Sequence, residues 1–321
     1  MADRVRITDV APRDGLQNEP APVPAQQKAA LIEKLAIAGV DEVEITSFVR
    51  PDLIPQLADA SEVAELVLEF VEGVRMVAGE LPRGVGRAST PGGGALPVFS
   101  ALVPNEKGLD RLLPFHERGL DIKVSMFASA SEEFSRRNTG GSIAEVLTRF
   151  GPVLQRTHEA GLPMRVYVSC AVACPFEGAV EPIAVRRVVN HIHELCDHNR
   201  VPRDLVEIDL ADTIGVARPD DITALLDEFS PHEIEAMTLH LHATTGGAAD
   251  CVRTALSLGV RSFDGAAGGL GGCPFASTAE KRAPGNLASQ ELVRVVHEAG
   301  FTTGVDSALL DEAGAFASSL V

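Results

Sequence analysis

Tryptophan is absent from the 321-residue chain and tyrosine occurs once, at Tyr167, against 13 phenylalanines. With so few large aromatic rings, the core has to be aliphatic, built from Val, Leu, Ile and Ala. No apolar stretch reaches the roughly 18 residues a membrane-spanning helix needs. The opening MADRVRITDV also lacks the basic region and apolar run of an export signal. A membrane partner is therefore not expected. An excess of basic residues is missing as well: 28 Lys and Arg face 45 Asp and Glu, for a formal charge of −17. That balance excludes general nucleic-acid binding, which wants a basic face. It leaves room for a small anionic substrate, because a few local cations outweigh the global field at close range. Cysteine is sparse and odd in number (Cys170, Cys174, Cys196, Cys251 and Cys273). In a chain this long, that argues against a disulfide framework and for a reducing, cytoplasmic setting.

What is present is a repeat. Short runs rich in β-branched and aliphatic residues fall at 5–10, 41–49, 96–103, 121–129, 164–172, 205–212, 236–243 and 261–269. Helical patterns lie between them, for example at 25–39, 142–160, 181–198 and 247–258, and Gly39, Gly161 and Gly259 serve as helix stops. Eight strand–helix units imply a parallel sheet closed into a (β/α)8 barrel. A doubly wound sheet would announce itself by a glycine-rich turn after the first strand, and Ala11-Pro12-Arg13-Asp14-Gly15 is a poor phosphate cradle. The expected organisation is one α/β domain over 1–321: a barrel over about 4–270, a loop over about 268–286, and a helical tail over about 287–321. The glycine- and proline-rich stretch 79–96 reads as a long loop.

Chemistry-bearing residues gather at the C-terminal ends of the expected strands, where barrels of this class carry their sites. Arg13 and Asp14 follow strand one, Glu44 and Ser47 close strand two, Cys170 strand five, Asp212 strand six, and His240 and His242 strand seven. Residues i and i+2 of a strand share a face, so the two imidazoles stand side by side, as a divalent metal requires and as two hydrogen-bonded core histidines also would. Asp14 could add a hard carboxylate or simply be turn chemistry. Arg13 could stabilise a developing enolate or lie on the surface. Asp212 could be an acid, a base or a helix cap. Cys273, in a glycine-rich loop, has the setting of a reactive thiol, whereas Cys170 beside Val168 and Ala171 reads as packed and inert. His191 and His193 have the same spacing as the strand pair but sit in a helical pattern, where i and i+2 diverge by about 200°; they are expected on the surface.

Six segments then tie the chain to a known family. TDVAPRDGLQNEP (8–20), VEITSFVRPDLIPQLAD (43–59), SALVPNEKGLDR (100–111), YVSCAVACPFEG (167–178), DLADTIGVARP (209–219) and GGLGGCPFA…PGNLA (268–288) resemble, in order and over nearly the whole chain, the hydroxymethylglutaryl-CoA lyases of the DRE-TIM metallolyase superfamily. The resemblance implies a TIM barrel using Mg²⁺ or Mn²⁺, with Asp14, His240, His242 and Asn286 as metal ligands. It implies Arg13 for the enolate, Cys273 acting from the loop, His240 or Asp212 in proton transfer, and Glu44 in support. The reaction implied is retro-Claisen cleavage of 3-hydroxy-3-methylglutaryl-CoA to acetoacetate and acetyl-CoA, the chemistry of leucine degradation and ketone-body formation. Gln17, Ser47, Arg136 and Arg137 fall at substrate-side positions, the arginine pair in the strand-four loop either meeting CoA phosphates or standing as a solvated basic pair. A homodimer is the family expectation.

The chain departs from the family pattern in three places. Ala243-Thr244-Thr245-Gly246 replaces an acidic residue followed by Thr-Tyr-Gly; the loop from Cys273 to Asn286 carries about four extra residues around Glu280-Lys281-Arg282; and 79–96 is long. These leave a relative acting on citramalyl-CoA or a longer homologue as an alternative. A Claisen-condensing synthase or an inactive acyl-CoA binder is less favoured: the chain stops about 35 residues after Asn286, and Arg13, Asp14, His240, His242 and Cys273 are all retained.

Overall fold

The computed structural model describes residues 3–78, 95–272 and 285–321. Cys273, the insertion around Lys281 and nearly all of the stretch 79–96 lie outside those residues.

Eight parallel strands close into a barrel: β1 (Arg6–Asp9), β2 (Glu42–Ser47), β3 (Val98–Leu102), β4 (Ile122–Ser129), β5 (Met164–Ser169), β6 (Val206–Asp212), β7 (Thr238–Leu241) and β8 (Ser262–Gly265). Each pairs with its sequence neighbour, and β8 closes on β1 with Arg6 opposite Ser262 and Asp9 opposite Gly265. The expected (β/α)8 barrel is thus the fold. Strand five ends at Ser169 rather than at 172. Cys170 turns the chain out of the strand at φ 59°, and Ala173–Cys174 pairs with Gly178–Ala179 in a small antiparallel hairpin.

The helices form where local chemistry starts and stops them. Ser142 and Glu145 make a reciprocal capping box at the head of α5 (Ile143–Glu159). Gly39 ends α1 (Ala25–Ala38) at φ 82°, where a Cβ would lie 2.6 Å from the Gly304 carbonyl. The tail is two helices, α10 (Ser289–Glu298) and α11 (Ser307–Ser318), the second capped by Asp306 and packed on α1. One helix was not read in the sequence: α4 (Glu132–Thr139), capped by Ser131, occupies what was expected to be the strand-four loop. Its polar face has little apolar periodicity to betray it. Among the described residues, no helix is long and apolar enough to cross a membrane.

The aliphatic core lies between barrel and helices, in residues such as Val43, Ile45, Val124, Val166 and Leu239. The lumen is different. Arg165 on β5 contacts Thr8 on β1 (3.1 Å), Glu207 on β6 (3.2 Å) and Asp264 on β8 (3.1 Å), and it lies 3.4 Å from Glu42 on β2. Most of these strands are not neighbours, so the contacts cross the barrel interior. Lys123 joins Glu42 and Glu207 from β4. A wholly aliphatic interior is therefore corrected: the pleat sends every second side chain inward, and in β2, β5 and β6 those positions carry Glu42, Glu44, Arg165, Tyr167, Glu207 and Asp209. The buried carboxylates of Glu42, Glu44 and Glu207 persist here beside the Arg13, Lys123 and Arg165 cations.

Candidate metal centre

The mouth of the barrel is built around a single π-helical turn, Ala11–Gly15, closed by a bond from Gly15 N to Val10 O of 3.1 Å. The turn follows β1 directly and presents Arg13 and Asp14 together. Such turns recur at functional sites because they re-aim side chains. Arg13 is buried. Its guanidinium binds Glu44 on β2 through a short contact and meets Asp14 Oδ1 at 2.6 Å, with the Tyr167 ring centroid 5.5 Å away. Gln17 Nε2 donates to the same Asp14 oxygen at 2.8 Å.

Across the mouth, β7 delivers the two histidines. Asp14, His240 and His242 each offer one ligand atom, and these atoms lie within 4.8 Å of one another. The donor set fits a cation. His240 Nδ1 is 3.2 Å from Asp264 Oδ2, and His242 Nδ1 is 2.9 Å from the Thr213 carbonyl. A carbonyl can only accept, so His242 carries its proton at Nδ1 and turns its Nε2 lone pair inward; the Nε2 atoms of the two rings are 3.2 Å apart, with Asp14 Oδ2 4.0 Å from His242 Nε2. Burial works against the charge of Asp14, but Arg13, His240 and His242 outweigh it and hold its carboxyl down to about 2. Burial and the adjacent His240 push His242 down to about 4, so it stands ready as a neutral ligand. Burial also pulls His240 down, yet its bond to Asp264 and that residue's charge leave it above the ordinary imidazole value.

Asn286 reaches the cluster by tertiary structure alone. Residues around it run antiparallel to the end of β7: His242 bridges to Asn286, Ala243 N donates to Gly285 O at 3.1 Å, and Leu287 N donates to Leu241 O at 2.9 Å. Asn286 Nδ2 meets Asp14 Oδ2 at 3.0 Å, while its buried Oδ1, beside His242, has no close hydrogen-bond partner among the described residues. Gly271, at φ 112°, makes room for it; a Cβ there would lie 2.6 Å from Asn286 Nδ2.

The other expected residues divide. Glu44 lies under Arg13, its Oε1 without a partner among the described residues. Asp212 receives the backbone N–H groups of Val216 (3.2 Å) and Ala217 (2.9 Å), closing a turn beyond β6 rather than capping a helix, and burial raises its pKa. Ser47 is buried, its hydroxyl accepting from Val49 N at 3.3 Å. Arg136 and Arg137 stand exposed on α4, paired with Glu132 and Glu133; Arg137 also lies 4.2 Å over the Phe176 ring. Cys170 is buried and pushed up to about 12 by burial, an inert thiol as expected. His191 and His193 are half-buried on helix α6 (Pro182–His198), not on the surface, because Ile192 between them packs into the core. Sequence reading missed Arg165, Tyr167, Asp209 and Asp264. The alternation of polar residues in MRVYVS, VEIDLAD and SFDG was the available signal.

Comparison with known proteins agrees with this geometry. The family model described as HMGL-like matches residues 4–83 and 102–316. The chain is 38% identical over 312 residues to the hydroxymethylglutaryl-CoA lyase of Pseudomonas mevalonii, covering 97% of this chain and 90% of that protein. Among solved structures, the HMG-CoA lyase of Brucella melitensis superimposes with a TM-score of 0.82 at 38% identity, over 99% of both chains. An HMG-CoA lyase from Acinetobacter baumannii, solved in complex with coenzyme A and 3-methylmalate, gives 0.77 at 30% identity, over 99% of this chain and 91% of that one. With the match spanning nearly its whole length, this chain belongs to the HMGL-like family.

Proposed function

We propose that the protein is a carbon–carbon lyase that cleaves 3-hydroxy-3-methylglutaryl-CoA to acetoacetate and acetyl-CoA. The observation that carries the reading is the convergence of Asp14, His240 and His242 beside Arg13, in a chain 38% identical along its length to a hydroxymethylglutaryl-CoA lyase. The proposed ligands are Asp14, His240, His242 and Oδ1 of Asn286. One carboxylate, one amide and two imidazoles, without thiolate, fit a divalent cation, and the family resemblance makes it Mg²⁺ or Mn²⁺. When bound, the cation supplies Lewis acidity that lowers the pKa of a coordinated hydroxyl.

The chain's own residues do the rest. Asp212 takes the proton of the tertiary hydroxyl, since the two His240 nitrogens would be engaged by the cation and by Asp264. The bond between the carbinol carbon and the thioester's α-carbon then breaks, leaving a ketone on one side and the enolate of acetyl-CoA on the other. Arg13, locked by Glu44 and Asp14 with its charge fixed, holds that enolate's negative charge. Cys273 would deliver the proton that completes acetyl-CoA. Gln17 and Ser47 line the substrate side, and Arg136 and Arg137 meet the CoA phosphates, each guanidinium able to bind two phosphate oxygens at once. The buried free thiols of Cys170, Cys174, Cys196 and Cys251 support a reducing, cytoplasmic setting. The product pair fits leucine degradation and ketone-body formation, and a homodimer is expected by sedimentation.

The test is a coupled assay of the purified, Mg²⁺-supplied protein on 3-hydroxy-3-methylglutaryl-CoA. Release of both products at about 1–10³ per second, lost in Cys273→Ala, supports the reading. Absence of turnover with cation bound overturns that substrate.

A further inference from the structure

The two imidazoles of the cluster are both anchored at Nδ1, but by groups of different kind. His242 meets a neutral backbone carbonyl, Thr213 O, at 2.9 Å. His240 meets the buried carboxylate of Asp264 at 3.2 Å. His240 on β7 and Asp264 on β8 are register partners, so the sheet itself sets the contact. Asp264 is held in turn from across the lumen. Arg165 Nη1 lies 3.1 Å from its Oδ1 and 3.4 Å from its Oδ2, and the Thr8, Glu42 and Glu207 side chains fix that guanidinium. Ion pairs in a dry interior are often matched or bettered in stability by apolar residues of similar volume. The presence of this network at the base of a ligand cluster therefore calls for a role besides stability.

We propose that Asp264, backed by Arg165, is a positioning residue of the cation site: its carboxylate holds His240 as the Nδ1–H tautomer and turns the Nε2 lone pair into the cluster before a cation arrives. A neutral imidazole has one N–H, so fixing it at Nδ1 leaves Nε2 as the electron donor. An ionised acceptor makes the stronger bond and raises the basicity of the ligand nitrogen. The proposal rests on the cation-site part of the proposed function, not on the identity of the substrate.

The experiment is Mn²⁺ binding to the full chain without substrate, read by electron paramagnetic resonance. Asp264→Asn is expected to weaken Mn²⁺ binding by roughly 10- to 100-fold, and to change little further in a His240→Ala background. Undiminished binding in the single variant overturns the proposal, as does an equal loss in both backgrounds, which is what a merely structural role would give. Because a buried substitution can unfold the barrel, a second measurement uses the unaltered chain: proton–nitrogen correlation spectra of the cation-free protein at alkaline pH. His240 as the Nδ1–H tautomer is expected, and the Nε2–H tautomer overturns the proposal. A chain with that tautomer and bound Mn²⁺ but no turnover would sink the substrate reading and leave this one standing.

Discussion

His240 and His242 aim their Nε2 atoms at each other across 3.2 Å, each ring oriented by an acceptor at its other nitrogen. With His240 neutral, two lone pairs face each other beside an ionised Asp14, a donor set that a divalent cation satisfies. Divalent cation should therefore stabilise the fold, by about 2.7 kcal/mol at a hundredfold excess over Kd. Thermal unfolding with Mn²⁺ and with EDTA checks this, and His242→Ala should remove most of the difference. Equal melting temperatures would count against the site.

Arg13 grips Glu44 and Asp14 at once, which a lysine cannot reproduce. Arg13→Lys is expected to lower kcat by about 10²–10³-fold, the scale of losing one charge-stabilising donor, while Mn²⁺ affinity changes only a few-fold. A proportional loss of cation binding would assign Arg13 to the cation site instead.

The family resemblance implies an acid at the position of Ala243, but both histidines already have their Nδ1 partners in Asp264 and Thr213. Ala243→Asp should leave kcat and Mn²⁺ affinity nearly unchanged, far short of the roughly 10- to 100-fold effect of a needed supporting group. A large gain would mean that the substitution of alanine had weakened the centre.

Asp9 is sealed beneath the π-helical turn, receiving Ser289 Oγ at 2.6 Å and Ala11 N at 2.9 Å, and burial raises its pKa from 3.8 to about 7. An acid whose pKa is raised by folding contributes stability fully present below its unfolded value and lost as pH rises through the folded one. Asp9 should thus cost stability progressively between about pH 4 and 7. Asp9→Asn, which copies the protonated form, should gain on the native protein across that window in melting temperature. A pH-independent difference would contradict the assignment.

Asp209 and Asp264 are buried together beside Arg165, and burial and the charge of Asp264 drive Asp209 well above the ordinary carboxyl range. The shift favours the neutral form of Asp209 and leaves Asp264 the more acidic of the pair. Asp209→Asn should fold and bind Mn²⁺ like the native protein, in contrast to Asp264→Asn. Matching losses in both variants would show that the charge is shared.

The sequence by itself determined the strand–helix repeat, the helix stops at Gly39, Gly161 and Gly259, and the pairing of His240 with His242. Each is a local consequence of chain geometry: strand period, left-handed caps, and side chains two apart on one face. It also placed Arg13 and Asp14 together, though as a turn, not the π-helical turn that aims them. Helix α4 was hidden because its sequence is polar on most sides and its start depends on a serine cap. The tertiary structure alone decided the rest. Asn286 meets Asp14 across 272 positions of sequence, and Arg165 meets Asp264 across 99. Such contacts depend on strand order and on closure of the barrel. Closure also explains the charged lumen. A side chain facing inward on one strand finds its partner on strands opposite, and nothing in its own segment names that partner.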